Sequence, residues 1–382
     1  MDEATKDRHE CDDFEGAEAM TSRFAVLGAG LMGRLMALSL KRLGYPVDLY
    51  DQGGPDGASS AAYAAAAMLS PLAESLDAEP LVVALGQASL RLWPGIIKTL
   101  PAPVFFQQEG TLVLWHPQDR DQAVQFDERL TRCQKTGMFD EPHRTLTAVE
   151  IETLEPQLGK RFSRALWLPL EGQLDNRMLL KALYSGLLEA GVEVHFETAM
   201  TPAAVTADWV IDCRGLGSKP DWSQIRGVRG EVLRVLSREV ALTRPIRLLH
   251  PRYPLYIAPK PEGHYVVGAT QIETEDTTPT SVRSALELLS ALYSIHPAFG
   301  EARVLEMVSQ CRPALPHHLP EIRWSGGRVI EINGLYRHGY LVAPAVLEAG
   351  LDLIKRLLDA PIGEDWQAQQ PWSSIYHLKE AV

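Results

Sequence analysis

Cysteine is scarce in this chain of 382 residues: Cys11, Cys133, Cys213 and Cys311 are widely scattered and form no C-x-x-C pair. Such spacing speaks against a disulfide frame or a zinc site and fits reduced thiols in a cytosol. His317 and His318 are adjacent, with no spaced set of carboxylates or cysteines beside them, so no metal is expected. Basic charge is short as well. With 37 Lys and Arg against 49 Asp and Glu, the formal net charge is −12, which argues against nucleic acid as a partner. Part of that excess sits in the first 20 residues, where eight acids face Lys6 and Arg8. Residues 1–21 read as a disordered acidic leader, with Met20 an alternative start. Having no apolar core, the leader is not a secretory signal. Long hydrophobic runs are missing too: the stretch from Ala61 to Leu69 is too short to span a bilayer, so no integral membrane segment is expected. Internal repeats are absent. What remains is an apolar share of 46%, ample for the core of a two-domain soluble protein.

The first positive signal is a glycine turn. Phe24-Ala25-Val26-Leu27 form a short apolar run that leads into Gly28-Ala29-Gly30-Leu31-Met32-Gly33. Gly28 suits a tight turn after a strand, Gly30 lets a pyrophosphate approach the backbone, and Gly33 permits close helix-on-strand packing. A helical stripe follows through Leu35, Leu38 and Leu43, Gly44 ends it, and Val47 to Asp51 reads as the next strand. Asp51 follows Gly33 by 18 residues, close to the ~20 expected of an acid that binds a ribose hydroxyl. Strand, turn, helix, strand and acid in register point to a dinucleotide site.

Further along, Leu81 to Leu100 reads as a helix, and Val104-Phe105-Phe106 with Thr111 to Trp115 as paired strands around Gln107 to Gly110. Gln118 to Lys135 looks helical. The parallel theme returns with a helix over Asn176 to Ala190, a strand over Val192 to Phe196, and another from Trp209 to Cys213 that runs into Arg214-Gly215. A nucleotide domain is therefore expected in three pieces, 22–85, 172–222 and 326–382. Residues 86–171 and 223–325 form the second domain, rich in antiparallel strands. The expected fold class is α/β, a Rossmann-like domain interleaved with an antiparallel-sheet α+β domain.

Near the C-terminus, Asn333 to Ala345 has two glycines, Gly334 and Gly339, bracketing Arg337 and His338. It runs through Pro344 into Leu347, Leu351, Ile354 and Leu358 at helical spacing, a turn feeding a buried helix. The free N–H groups at such a helix start favour negative charge, as on a reduced flavin, and Arg337 stands where it could hold a carboxylate.

From about Phe24 to Leu358 the chain resembles the D-amino-acid oxidase family of flavoproteins, and within it the glycine oxidase branch of bacterial thiamin biosynthesis. The resemblance rests on the first glycine turn and on Ser59-Ser60 leading to Ala64-Ala65-Ala66-Ala67-Met68-Leu69. It rests also on Gly227-Val228-Arg229-Gly230-Glu231, Tyr256-Ile257-Ala258-Pro259, Tyr265 to Thr270, Arg312-Pro313 and Gly334 to Ala345. It implies FAD bound by the first domain and a small amino acid or amine, glycine or sarcosine first, held between the domains. Oxidation would proceed by hydride transfer to flavin N5, with imine hydrolysis and reoxidation by dioxygen to give hydrogen peroxide. Positioning then carries most of the work.

By position, the resemblance assigns Arg312 to the substrate carboxylate, Tyr256 to a tyrosine closing over it, and Arg337 to a second arginine near the flavin; His338 is a further candidate for the site. Cofactor contacts fall on Gly28, Gly30, Leu31, Met32, Gly33 and Asp51, on Ser59, Ser60 and Ala66, and on Cys213 and Gly215. The loop Ala67, Met68 and Leu69 is assigned to the isoalloxazine, and Gly334, Tyr336, Gly339, Tyr340 and Leu341 to the helix start at its pyrimidine edge. The chain departs from glycine oxidases at Leu335, where histidine is common, at His338, where asparagine is common, and at Ala67, where glycine is usual. Two other readings stay open: a flavin monooxygenase, although its C-terminal Gly-Asp motif is missing, and a flavoprotein serving as partner or maturation factor for another protein. A cytoplasmic location is expected, and homo-oligomerisation and a protein partner are left open.

Overall fold

The computed structural model describes residues 22–137, 142–249, 255–360 and 365–379, so the acidic leader and Cys11 lie outside the described residues. Among these, the strands form three sheets. The first runs in the order Tyr376–Leu378, Glu321–Trp324, Val329–Asn333, Trp209–Asp212, Phe24–Leu27, Val47–Tyr50, Glu193–His195. Phe24–Leu27 is buried along its whole length, as a strand covered on both faces must be, and pairs in parallel with a neighbour on each side. The return to this sheet falls at Glu321, ahead of the expected boundary at 326, because Glu321–Trp324 pairs antiparallel with Val329–Asn333.

Helix Leu31–Arg42 packs against helices Asn176–Glu189 and Gly339–Asp359 around one large apolar cluster. The last of these carries Pro344 inside it. Proline has no N–H, so the carbonyl one turn earlier, on Tyr340, loses its usual helical partner. The Trp93 indole supplies the missing bond at 2.9 Å. Trp93 lies on helix Pro80–Lys98, which is long and apolar enough to cross a membrane by length and composition. Val82, Leu85, Leu90 and Trp93 are nonetheless buried in the shared core, which accounts for its apolar character.

The second sheet is built on a long antiparallel pair, Arg226–Leu236 with Arg303–Ala314, which places Val228 opposite Arg312. Beyond it come His264–Gly268, Leu255–Lys260, Ile246–Leu248, Thr111–Leu114, Arg164–Leu168 and Arg144–Thr147. One pairing is parallel, Ile246–Leu248 with Thr111–Leu114. The expected hairpin around Gln107 to Gly110 does not form. Phe106–Gln107 instead joins Met68–Leu69 and Gly172–Leu174 in a small third sheet. Gly110 adopts φ +86° and redirects the chain, and Thr111–Leu114 takes its partners from distant segments.

Candidate active site

A cavity of about 420 Å³ opens at the carboxyl ends of Phe24–Leu27, Val47–Tyr50 and Trp209–Asp212 and extends across to the second sheet. Gly28, Gly30, Leu31, Met32 and Asp51 line its first end, with Cys213 and Gly215 beside them. Gly28 has φ +92°, and a Cβ there would lie 2.6 Å from the Cys213 carbonyl oxygen, so the turn admits no larger residue. At Gly30 the nearest atom to an added Cβ is 3.7 Å away, leaving room along the backbone. The Asp51 carboxylate accepts hydrogen bonds from the Ala29 and Gly53 N–H groups, which pins it to the turn. Burial pushes the Cys213 thiol well up, so it stays protonated and apolar.

Ser59, Ser60, Ala66, Ala67 and Met68 form one wall. Arg34, fully buried, ties this wall down by donating to the carbonyls of Ala29, Leu180 and Pro55. Ala67 holds φ +53°, in the left-handed region that favours glycine. Three of the expected cofactor residues support the cavity without lining it. Gly33 lies under the turn, where a Cβ would come 1.8 Å from the Gly28 carbonyl oxygen. Leu69 belongs to the apolar core, and Gly334 makes the left-handed turn at φ +76° before the last helix.

The far end gathers Tyr256, Arg312, Arg337 and His338, with Tyr336, Gly339, Tyr340 and Leu341 at the helix start. Gly230, diagonal to Arg312 in the sheet, lies beneath its guanidinium; a Cβ at Gly230 would sit 2.1 Å from Arg312 Nη2. Arg312 donates to the Thr270 carbonyl at 3.1 Å, and among the described residues no carboxylate forms an ion pair with it. Burial, with Arg337 nearby, lowers its affinity for a proton to about 10. The guanidinium is thus a half-buried cation at the cavity wall, open to pairing with an anion.

Glu74 was not singled out in the sequence, yet it stands at the centre of this end. Pro71 starts the short helix Pro71–Glu74, which turns the carboxylate into the cavity. Its oxygens lie 2.8 Å from Arg337 Nη2 and 3.5 Å from His338 Nδ1, and accept from the Tyr256 hydroxyl at 3.2 Å. Burial pushes its pKa up, but Arg337 and Arg247 together with that hydroxyl outweigh burial and hold it below the ordinary value. Burial drives His338 down to about 3, against the opposing pull of Glu74, so its ring is neutral. An acid three residues into a Pro-started helix looks in sequence like an ordinary helix-end charge. Ser70 was missed as well: its hydroxyl and that of Tyr336 are buried without a partner among the described residues, on side chains of the cavity wall.

Residues 23–348 match the family model described as FAD dependent oxidoreductase, DAO. The chain belongs to that family. It is 40% identical over 336 residues to a Rhizobium etli protein provisionally named thiamine biosynthesis oxidoreductase ThiO, covering 88% of this chain and 96% of the relative. To the glycine oxidase of Pseudomonas aeruginosa it is 28% identical over 376 residues, 88% of this chain and 95% of that one. The structure of glycine oxidase from Geobacillus kaustophilus superposes with a TM-score of 0.74 at 23% identity, over 88% of this chain and 95% of that chain, which shows the shared fold. The oxidoreductase therefore takes FAD, and its residues fit that group. The left-handed Gly28 turn, the open backbone at Gly30 and the unpartnered Ser70 and Tyr336 hydroxyls are what a large polar cofactor would occupy.

Proposed function

We propose that the protein oxidises a small amino acid or amine carrying one carboxylate, glycine or sarcosine first, and supplies the thiazole branch of thiamin synthesis. The observation that carries this reading is Arg312, a half-buried guanidinium with no carboxylate partner among the described residues, in the same cavity as Tyr256. The names of the Rhizobium and Pseudomonas relatives support the substrate class and the thiamin role. Gly28, Gly30 and Asp51 would hold the adenosine and pyrophosphate, and Ala66, Ala67, Met68 and the helix start at Gly339 would lie along the flavin ring. Segments 22–85 and 172–222, with the chain from Glu321 onward, form the cofactor side, and 86–171 with 223–320 the substrate side. The bound FAD would supply the two-electron oxidation of the substrate C–N unit, with dioxygen as the final acceptor and the imine product hydrolysing in water.

Arg312 pairs with the substrate carboxylate, and Tyr256, fixed by Glu74 at 3.2 Å and Arg247 at 3.3 Å, closes over it. Burial holds the Tyr256 phenol well above its ordinary value, so it stays a neutral donor. Mixing FAD-loaded protein anaerobically with glycine, sarcosine or ethylamine tests the reading. The two amino acids bleach the flavin absorbance, and the amine lacking a carboxylate does so at least about tenfold more slowly, a gap of roughly 1.4 kcal/mol. Bleaching by NADPH alone would move the protein to the monooxygenases, and bleaching by none of these would remove it from the oxidases of free amino acids.

A further inference from the structure

We propose that Glu74 selects substrates by charge: by neutralising Arg337 it leaves Arg312 as the cavity's one unpaired cation among the described residues, so the site takes one carboxylate and excludes a second. This inference rests on the reading of the site as one for a small carboxylate-bearing amine. Four groups set the local charge. Arg312 and Arg337 are cations lining the same cavity, Glu74 is an anion 2.8 Å from Arg337, and His338, in contact with Glu74, is buried in its neutral form. Arg247, the next cation, reaches Asp77 at 3.0 Å and the Ala73 carbonyl, so its charge is already answered outside the cavity. Among the described residues at this end of the cavity, the sum facing a ligand is a single positive charge. A monocarboxylate with a neutral amine cancels it. A dicarboxylate would leave one buried anion uncompensated beside Glu74, which costs far more in a dry site than in water.

Glu74→Gln keeps the side-chain size and the acceptor for Tyr256 but frees Arg337. The second guanidinium then becomes a seat for a second carboxylate. Flavin absorbance changes on titrating the FAD-loaded protein with acetate and with malonate, at constant ionic strength, read the selection directly. The ratio of malonate to acetate dissociation constants should fall by about tenfold or more in Glu74→Gln relative to wild type. With iminodiacetate, which is glycine bearing a second carboxymethyl group, kcat/KM relative to glycine should rise in the same variant.

An unchanged ratio in a variant of normal flavin content overturns the proposal, as does a wild-type spectrum that responds to neither acid. Where Glu74→Gln fails to hold FAD, Arg337→Met gives the converse test: Glu74 is then unanswered, and acetate should bind about tenfold more weakly. Unchanged acetate affinity there would also overturn it. The titrations read charge selection even in a protein that turns over no amino acid, so failure of the proposed reaction and failure of this inference remain distinguishable.

Discussion

At one end of the cavity Gly28 and Gly30 present backbone from a single continuous turn, with Gly33 packed beneath; at the other, Glu74, Tyr256, Arg312 and Arg337 arrive from four separate segments. The first end is specified by what is missing, since an added methyl at Gly28 or Gly33 meets a carbonyl oxygen at 2.6 or 1.8 Å. The second is specified by charge, with one carboxylate answering one of two guanidiniums. A backbone device tolerates almost no change, whereas a charge device can be retuned by one proton or one side chain. Substitutions at the two ends should therefore fail differently.

The largest effect is expected from Gly33→Ala. Its new Cβ has backbone on the other side, not a flexible side-chain end, so helix and turn must separate at a cost of roughly 3 kcal/mol. FAD content should fall to near zero, measured as flavin absorbance per polypeptide; normal content would show that the turn has slack the geometry denies. Arg312→Ala attacks the other end. Flavin content should stay normal while binding of glycine weakens by roughly 2–5 kcal/mol if, as proposed, Arg312 is the charged partner of the substrate carboxylate. Substrate binding equal to wild type would remove Arg312 from the site.

Acid should also separate the two ends. His338 binds its proton near pH 3 when folded, against 6.5 in the unfolded chain, so between those values the unfolded state holds more protons. Stability contributed by the neutral buried ring is thus present above pH 6.5 and lost as pH falls toward 3. In urea titrations the wild type should lose stability across pH 6 to 4 more steeply than His338→Gln, by up to about 1.4 kcal/mol per pH unit. Parallel slopes would mean that the ring takes up its proton without disturbing Glu74 and Arg337.

The glycine turn and Asp51 were legible because strand, turn and helix are local and each glycine has one steric reason to be there. Arg312 and Tyr256 could be picked out only through resemblance, and Arg337 also from its place before a helix start; the structure brings all three into one cavity. Glu74 was not legible: its partners lie far away in sequence, so nothing near it signals a buried ion pair. The misread hairpin has a similar cause. Phe106–Gln107 and Thr111–Leu114 have strand-like composition, but their partners, Gly172–Leu174 and Arg164–Leu168 with Ile246–Leu248, are non-local. Register set by tertiary packing cannot be read from a run of apolar residues.

Ala67 stands between the two regimes, a backbone position on the cavity wall that holds a side chain where the conformation prefers none. At φ +53° the methyl costs about 1–2 kcal/mol relative to glycine. Replacement by glycine also loosens the unfolded chain, which offsets about 0.4–1 kcal/mol of that gain. Ala67→Gly should therefore stabilise the protein only slightly, by roughly 0.5 kcal/mol, seen as a small rise in Tm at fixed FAD concentration. A fall in Tm would mean that the methyl makes packing contacts worth more than the strain. The wall would then belong with the side-chain end of the cavity, with Ala67 a residue that shapes the cavity surface and not a glycine position filled at a cost.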